Sequence, residues 1–186
     1  MVRIIAGAAR GRRIDTLEGM ETRPTLDRVK EAVFGSLQFR IPYAAVLDLF
    51  AGSGSLGLEA ASRGAARVVF NDRNPACIAI IRKNVEALGF SSAAQILNLD
   101  YAAAIDRLAN EGAAFDLAFC DPPYREGISE DAVRRLFEAR LIKPDGLVVL
   151  EHAAELAPAA LPGVYRIVRT KRFGKCGYSL IEEDVE

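Results

Sequence analysis

The sequence predicts an α/β protein with a mostly parallel β-sheet and helices on both faces of the sheet. Apolar runs typical of buried strands alternate with helical patterns, and this alternation favours parallel strands joined by helices. The chain has 186 residues, of which 51% are hydrophobic, and this predicts a single domain over residues 1–186. Strands are expected near 45–50, 67–71, 95–98, 115–120 and 146–151, and helices near 54–63, 75–88, 101–109 and 129–140.

Both ends of the chain add further elements to this pattern. Residues 2–15 predict a short hairpin, and residues 164–182 predict two strands joined around residues 173–175. After the first hairpin, Thr25 is expected to cap a helix that extends to about residue 37. The apolar face of that helix is formed by Leu26, Val29, Val33 and Leu37. The domain therefore divides into an N-terminal extension, residues 1–40, and a core, residues 41–186.

A glycine-rich loop follows the strand near 45–50 and leads into a helix. Gly52, Gly54 and Gly57 have the G-x-G-x-x-G spacing, which allows close approach of the backbone to a ligand and tight packing of helix on strand. The spacing alone is a weak signal, but here the required strand and helix lie on either side of it. Asp48 lies in the apolar run before the loop, so its charge needs a partner, either a cationic ligand group or the amides of the loop.

An acidic residue ends the next strand, roughly 20 positions further along, where nucleoside-binding βαβ units hold ribose hydroxyl groups. Asp72 is the favoured ligand, with Asn71 as its neighbour. Asp72 and Asn74 also have the pattern of a turn and a helix cap, with Pro75 at the first helical position. The two interpretations are compatible, because Asp72 precedes the cap.

The most informative stretch is Asp-Pro-Pro-Tyr at residues 121–124, directly after the strand near 115–120. Each proline fixes φ and keeps the residue before it extended, which predicts a stiff corner at the carboxyl end of a strand, where α/β sheets bind ligands. A carboxylate, backbone carbonyl groups and an aromatic ring suit a planar base that bears an exocyclic amino group. A plain loop is the alternative interpretation of this stretch when it is taken alone.

Two nucleoside cofactors fit the first half of the chain, a nicotinamide dinucleotide and S-adenosylmethionine. Asp48 favours a cofactor with a cationic end. The 121–124 corner favours methylation of an amino nitrogen over hydride transfer. These residues separate the two cofactors only in part.

The 48–57 and 121–124 stretches, together with Asp72, resemble the Rossmann-like methyltransferases that modify exocyclic amines of nucleobases. The resemblance narrows to the bacterial 16S ribosomal RNA guanine-N2 methyltransferases of the RsmD type, and it extends over essentially the whole chain. It implies a class I methyltransferase fold, with a seven-stranded twisted sheet and an antiparallel C-terminal strand. The stretches that carry the closer resemblance are Arg-Ile-Ile-Ala-Gly at 3–7, Arg-Gly-Arg-Arg at 10–13, Arg-Pro-Thr at 23–25, Asp-Arg-Val-Lys-Glu at 27–31 and Ser-Arg-Gly-Ala at 62–65.

The same resemblance implies S-adenosylmethionine as the cofactor, no metal, and direct in-line methyl transfer to guanine N2 of 16S rRNA within an assembling 30S subunit. Asp100 matches the acidic residue that accepts the adenine amino group, although it also suits a helix N-cap. The implied catalytic residues are Asp121, Pro122, Pro123 and Tyr124. The implied cofactor-binding residues are Asp48, Phe50, Ala51, Gly52, Ser53, Gly54, Gly57, Asn71, Asp72, Asp100 and Tyr101.

Charge is unevenly distributed along the chain, although its formal net charge is only −1. Basic residues cluster near both ends, and clustered Lys and Arg attract nucleic-acid phosphates. Each cluster by itself is typical of a solvated face, but the pair favours an RNA substrate for an enzyme of this type. The expected RNA-binding residues are Arg3, Arg10, Arg12, Arg13, Arg23, Arg28, Lys171, Arg172 and Lys175.

Composition disfavours several other classes of protein. The chain has no apolar run of about 18 residues and no secretory signal, so we expect a cytoplasmic protein without a membrane span, and a monomer. Its three cysteines are widely spaced and are expected to be reduced. His152 is the only histidine, which disfavours a Ser-His-Asp triad or a multi-histidine metal site, so we expect a structural role for it.

Three alternative functions rank below guanine-N2 methylation. Adenine-N6 methylation of DNA or RNA uses the same kind of corner, because that base also presents an exocyclic amine. An NAD-dependent oxidoreductase would use the three glycines of the loop. A non-catalytic RNA-binding or assembly factor would keep the fold without methyl transfer.

Overall fold

The structure is a computed structural model that describes residues 2–17, 24–123 and 127–184, with residues 24–27 described by their backbone alone. Strands and helices alternate through the core as the sequence predicts. In chain order the elements are β1 (Val2–Arg3), β2 (Arg13–Ile14), α1 (Pro24–Ser36), β3 (Ala45–Asp48), α2 (Ser55–Ser62), β4 (Arg67–Asn71), α3 (Pro75–Leu88), β5 (Ala94–Leu97), α4 (Tyr101–Asn110), β6 (Phe115–Cys120), α5 (Ile128–Glu138), β7 (Ile142–Ala153), β8 (Tyr165–Phe173) and β9 (Cys176–Glu183).

Seven strands form one sheet in the order β5-β4-β3-β6-β7-β9-β8. The five strands from β5 to β7 are parallel, and β9 is antiparallel to both of its neighbours. This arrangement confirms the predicted mostly parallel sheet with an antiparallel C-terminal strand. The short ribbon of β1 and β2 pairs Val2 with Ile14, which confirms the predicted N-terminal hairpin.

The sheet is covered on both faces because successive strand residues point to opposite sides. Val46 packs with the helices α1, α2 and α3, whereas its neighbour Leu47 packs with α4 and α5. The same alternation runs along β6, where Phe119 lies on the first face and Ala118 on the second. Two buried apolar cores therefore enclose the sheet, one on each side.

Two element boundaries differ from the sequence prediction. Helix α1 begins at Pro24, so Thr25 lies in its first turn and not at the predicted cap position. Strand β7 begins at Ile142 and not near residue 146, because a register shift against β6 between Phe115 and Leu117 accommodates the Lys-Pro-Asp-Gly stretch at 143–146. Val29, Val33 and Leu37 are buried as expected, and the side chain of Leu26 lies outside the described residues.

A buried glutamate of α2 fastens the N-terminal hairpin to the core. Glu59 has no solvent exposure, and its carboxylate accepts hydrogen bonds from the backbone N–H groups of Ile5 at 2.8 Å and Ala6 at 3.0 Å. The same carboxylate lies 3.2 Å from Lys30 Nζ and 2.8 Å from Arg63 Nε. Four donors therefore converge on one side chain that the sequence analysis did not single out.

The helix α1 also contacts the closing strands β8 and β9. The Tyr178 hydroxyl of β9 donates to the Ala32 carbonyl of α1 at 3.2 Å and lies 2.9 Å from Ser36 Oγ. The N-terminal extension and the C-terminal hairpin thus share one side of the sheet. Within the described part of the chain, each helix is too short to cross a lipid bilayer.

Candidate active site

The proposed site lies where β3 and β6 end, at the carboxyl edge of the parallel sheet. The two strands are neighbours, with Asp48 in register with Phe119, and the N–H group of Leu49 donates to the Phe119 carbonyl at 3.0 Å. The glycine loop after β3, residues 49–54, and the corner after β6 therefore leave the sheet side by side. Such an edge is where open α/β sheets bind their ligands.

Two carboxylates hold the glycine loop and the start of α2. Asp48 Oδ2 accepts from the N–H group of Gly57 at 2.9 Å, and Asp72 Oδ2 accepts from the N–H group of Gly52 at 2.8 Å. Gly52 and Gly54 have φ values of 55° and 81°, a region that favours glycine. The internal hydrogen bond that the sequence left open for Asp48 is thus present, and it shapes the start of α2.

Gly57 allows α2 to pack closely on β4. A Cβ atom at this position would lie 2.3 Å from the Phe70 ring, much closer than atoms can approach. This is the role that the third glycine of the spacing has in nucleotide-binding folds. The close packing of α2 on β4 therefore explains why a glycine occupies position 57.

We expect Gly57→Ala to lower the free energy of unfolding by about 1–3 kcal/mol, because the added methyl group overpacks the contact with Phe70. Gly35→Ala is the matched control, since Gly35 is also helical and a Cβ there meets no atom within 4 Å. That control should stabilise the protein by roughly 0.5–1 kcal/mol. Urea unfolding measures both, and equal effects of the two variants would contradict the packing role.

The buried Asp48 is prepared for a cationic partner. It is 1% exposed, and burial raises its pKa to about 7, an effect that the Gly57 N–H group and Lys30 partly offset and that Asp121 and Asp72 increase. An ionised carboxylate in this position is costly unless a positive charge compensates it. A ligand ammonium or sulfonium group at the carboxyl edge would supply that charge.

Two further carboxyl groups surround the corner. Desolvation of the Asp121 carboxyl group raises its pKa. Burial raises the pKa of Glu151, and the charge of the nearby Asp121 raises it further. Because the Asp121 side chain is also exposed to solvent, water offsets part of this effect. Glu151 follows Leu150, which pairs with Cys120, so it lies on the strand beside the corner. The sequence analysis missed Glu151, although it ends an apolar run as Asp48 and Asp121 do.

The raised pKa values predict that the ligand-free protein loses stability as pH rises. A carboxyl group that binds its proton more tightly when folded stabilises the folded state below its unfolded pKa of 3.8, and that stability is lost up to about pH 7 for Asp48. The shift corresponds to at most about 4 kcal/mol. Urea unfolding between pH 4.5 and 7.5 measures this slope. Asp48→Asn, which keeps an acceptor for Gly57, should flatten it, and an unchanged slope would contradict the shift.

Two predicted cofactor residues, Asp72 after β4 and Asp100 before α4, lie at the same edge and accept hydrogen bonds from backbone N–H groups. Asp72 Oδ1 accepts from the N–H group of Asn74 at 2.8 Å, and Asn74 Oδ1 accepts from the N–H group of Ala76 at 3.0 Å. Asp100 caps α4 by accepting from the N–H group of Ala102 at 3.0 Å. Both structural interpretations that accompanied the ligand assignments are therefore confirmed, and each side chain still lies beside the edge.

Asn71 and Tyr101 are two further predicted cofactor residues at this edge of the sheet. Asn71 is buried, and its Nδ2 donates at 3.1 Å to the carbonyl groups of Leu49 and Leu99, so it ties the loops after β3 and β5 together. Its Oδ1 atom is buried without a hydrogen-bond partner among the described residues. The ring of Tyr101 lies 5.5 Å from the ring of Phe50.

The corner itself is described through its first three residues. Asp121 is exposed, Pro122 is buried and Pro123 is exposed. Tyr124, the predicted stacking residue, lies outside the described residues.

A cavity of about 530 Å³ between α5 and residues 157–161 lies elsewhere and is lined by none of the predicted site residues.

The predicted RNA-binding residues lie mostly on the surface. Arg3, Arg10, Arg13, Arg28, Arg172 and Lys175 are exposed, Lys171 is half-buried, and Arg23 lies outside the described residues. Arg12 is exposed and donates to the Ala87 carbonyl of α3 at 2.6 Å. Helix α1, which carries Arg28, packs against β8 and β9, and β8 carries Lys171 and Arg172.

His152 has the structural environment that the sequence predicts. Its Nε2 atom lies 3.0 Å from Ser179 Oγ and its Nδ1 atom lies 2.8 Å from the Ala153 carbonyl. Ser179 Oγ in turn lies 2.8 Å from Thr170 Oγ1. This network joins β7, β9 and β8, and its His152 and Ser179 members are buried. All three cysteines are free and buried.

Comparisons with known proteins agree with this geometry. The family model described as Conserved hypothetical protein 95 matches residues 2–182. Ribosomal RNA small subunit methyltransferase D of Haemophilus influenzae is 36% identical over 182 residues, which cover 97% of this chain and 93% of the relative. The solved structure of yhhF from Escherichia coli has a TM-score of 0.85 and 31% identity, and the match covers 100% of this chain and 99% of that chain.

A more distant solved structure is the 16S rRNA N2 methyltransferase RsmC of T. thermophilus in complex with AdoMet and guanosine. It has a TM-score of 0.69 and 25% identity, over 91% of this chain and 45% of that chain. The fold and the full-length matches thus agree. The chain belongs to the family described as Conserved hypothetical protein 95, the RsmD-type family of Rossmann-like, S-adenosylmethionine-dependent methyltransferases.

Proposed function

We propose that this protein transfers a methyl group from S-adenosylmethionine to the exocyclic N2 amine of a guanine in small-subunit ribosomal RNA. The observation that carries the proposal is the position of the Asp-Pro-Pro corner beside the glycine loop. Asp121 and Asp48 are close enough for one charge to raise the pKa of the other carboxyl group. An amine held by the corner therefore faces whatever the loop binds.

The residues of the carboxyl edge fit S-adenosylmethionine, which supplies an electrophilic sulfonium methyl group when it is bound. The buried carboxylate of Asp48 favours a cationic ligand end. We assign Asp72 to the ribose hydroxyl groups and Asp100 to the adenine amino group. The rings of Phe50 and Tyr101, 5.5 Å apart, offer apolar faces for the base. The backbone of Gly52 and Gly54, without side chains, allows close approach.

The corner solves the main difficulty of methylating an aryl amine, whose lone pair is delocalised into the ring. Acceptance of the two N–H bonds by the Asp121 carboxylate and the Pro122 carbonyl group orients the nitrogen lone pair and stabilises the positive charge that develops. Tyr124 positions the base by stacking. The amine proton leaves after transfer, and Asp121 is the nearby carboxylate that can accept it.

The surface supports an RNA substrate. The exposed arginines of the N-terminal hairpin and the basic residues of the C-terminal hairpin offer positive charges to several phosphates of an RNA. A guanine in a paired or stacked region has to be turned out before it reaches the corner. The relative of 36% identity is named as a methyltransferase of the small ribosomal subunit RNA, and the T. thermophilus structure holds guanosine with AdoMet.

Incubation with methyl-labelled S-adenosylmethionine and unmodified small ribosomal subunits, followed by nucleoside analysis, tests the proposal. We expect label in N2-methylguanosine at one position of the RNA. Label in N6-methyladenosine would assign the corner to adenine instead. Cofactor binding without label in the RNA would contradict the proposal and favour an assembly role.

A further inference from the structure

The N-terminal segment, residues 2–17, is connected to the glycine loop through Asn84 of α3. Asn84 is 4% exposed, and its side chain makes hydrogen bonds to Asp15 of the segment and to Ser53 of the loop. Its Oδ1 accepts from the N–H group of Asp15 at 2.9 Å, and its Nδ2 donates to the Asp15 carbonyl at 3.0 Å and to the Ser53 carbonyl at 3.1 Å. One amide therefore joins the segment to the middle of the loop.

Lys30 of α1 makes a second connection of the same kind. It is 7% exposed, and its Nζ lies 3.0 Å from Ser55 Oγ, at the first turn of α2, and 3.4 Å from the Arg3 carbonyl. The side chains of Asn84 and Lys30 thus link the segment to the residues before and at the start of α2. Lys30, although basic, is part of this internal contact and not of the exposed basic surface.

The N–H groups of Ala51, Gly52 and Gly54 already hold the loop by hydrogen bonds, and Asn84 adds a hydrogen bond to the Ser53 carbonyl. Ser53 lies between two glycines with positive φ, and glycine has the greatest backbone freedom of any residue. A hydrogen bond from a buried side chain to the Ser53 carbonyl fixes the peptide between them. Asn84 therefore contributes to the shape of the loop, and its two hydrogen bonds to Asp15 connect that contribution to the segment.

We propose that Asn84 is a positioning residue through which the N-terminal segment sets the affinity of the glycine loop for the cofactor. If RNA binds the arginines of this segment, the two binding events are linked, and each tightens the other. This second part rests on the function proposed above, whereas the first part does not. Asn84 differs from the other residues that fasten the segment because it also donates a hydrogen bond to the glycine loop.

Ser62 provides the matched control for Asn84. Its Oγ accepts from the N–H group of Ala9 at 2.9 Å and donates to the Ala6 carbonyl at 2.6 Å, so it also fastens the segment. It lies at the far end of α2 from the glycine loop. Ser62→Ala and Asn84→Ala both loosen the segment, but only the second removes a hydrogen bond to the loop.

Calorimetric titration with S-adenosylhomocysteine, which cannot be consumed, tests the first part. We expect Asn84→Ala to raise Kd about tenfold, from the loss of a buried hydrogen bond, and Ser62→Ala to leave Kd within about twofold. Asn84→Asp keeps the acceptor for the Asp15 N–H group but loses the donors to the Asp15 and Ser53 carbonyl groups, and it should bind as weakly as Asn84→Ala. Thermal unfolding checks that the variants are folded, and equal Kd values for Asn84→Ala and Ser62→Ala would overturn the positioning role.

The same titration in the presence of saturating unmodified small subunits tests the coupling. We expect the wild type to bind S-adenosylhomocysteine about fivefold more tightly than without subunits, and Asn84→Ala to show little change. Equal tightening in both proteins would overturn the coupling. If the subunits do not bind the wild type, the proposed substrate and the coupling both fail, while the titration without subunits still decides the role of Asn84.

Discussion

Asp121→Ala should lower kcat by about 10²–10³-fold, the size of effect expected when one charge-stabilising group at a reacting centre is removed. The Kd for S-adenosylmethionine should stay close to the wild-type value, because Asp121 holds the amine and not the cofactor. Loss of its charge also removes one cause of the raised pKa of Asp48, which favours the ionised form that a cationic ligand needs. Single-turnover methylation and calorimetric titration measure the two quantities.

Asp145→Ala is the control for this variant. Asp145 is an exposed aspartate near the start of β7, at the opposite end of the strand from Glu151. Its loss should change neither kcat nor Kd. If Asp121→Ala stays folded but loses cofactor binding and turnover to the same extent, Asp121 belongs to the cofactor site, and its assignment to the amine is wrong.

Glu59→Ala should cost about 3–5 kcal/mol of folding free energy, the cost expected when one partner of a buried ion pair is removed. The change leaves Lys30 and Arg63 without their buried carboxylate and the N–H groups of Ile5 and Ala6 without an acceptor. Urea unfolding measures the loss. Hydrogen exchange should also show faster exchange at residues 5 and 6, because the hairpin loses its main attachment.

Glu86→Ala is the matched control, since Glu86 is an exposed glutamate on the neighbouring helix α3. Substitutions of this kind usually change stability by at most about 0.5 kcal/mol. A loss for Glu59→Ala no larger than that of Glu86→Ala would show that the buried ion pairs hold little of the structure together.

The fold was predictable because its strongest signals are periodic and local. Alternating residues such as Val46 and Leu47 fix the two faces of a strand, and Asn74 with Pro75 marks the start of α3. The closeness of Asp48 and Asp121 was predictable for a related reason. Asp48 and Asp121 each end an apolar run, and parallel strands end at one edge.

The supports of the site were not predictable from the same patterns. Glu59 contacts residues more than 50 positions away, and Asn84 contacts Asp15 across 69 positions. Nothing local marks such contacts, since a glutamate or asparagine in a helix is ordinarily exposed. The hydrogen bond from the Gly52 N–H group to Asp72 Oδ2, across 20 positions, also becomes visible only with coordinates.

A crystal structure of the protein with S-adenosylhomocysteine and guanosine would test the central claim most directly. We expect the guanine N2 atom within about 3 Å of both an Asp121 carboxylate oxygen and the Pro122 carbonyl oxygen, facing the cofactor sulfur. A guanine bound elsewhere, or an Asp121 carboxylate turned away from a base that does lie beside the glycine loop, would contradict it.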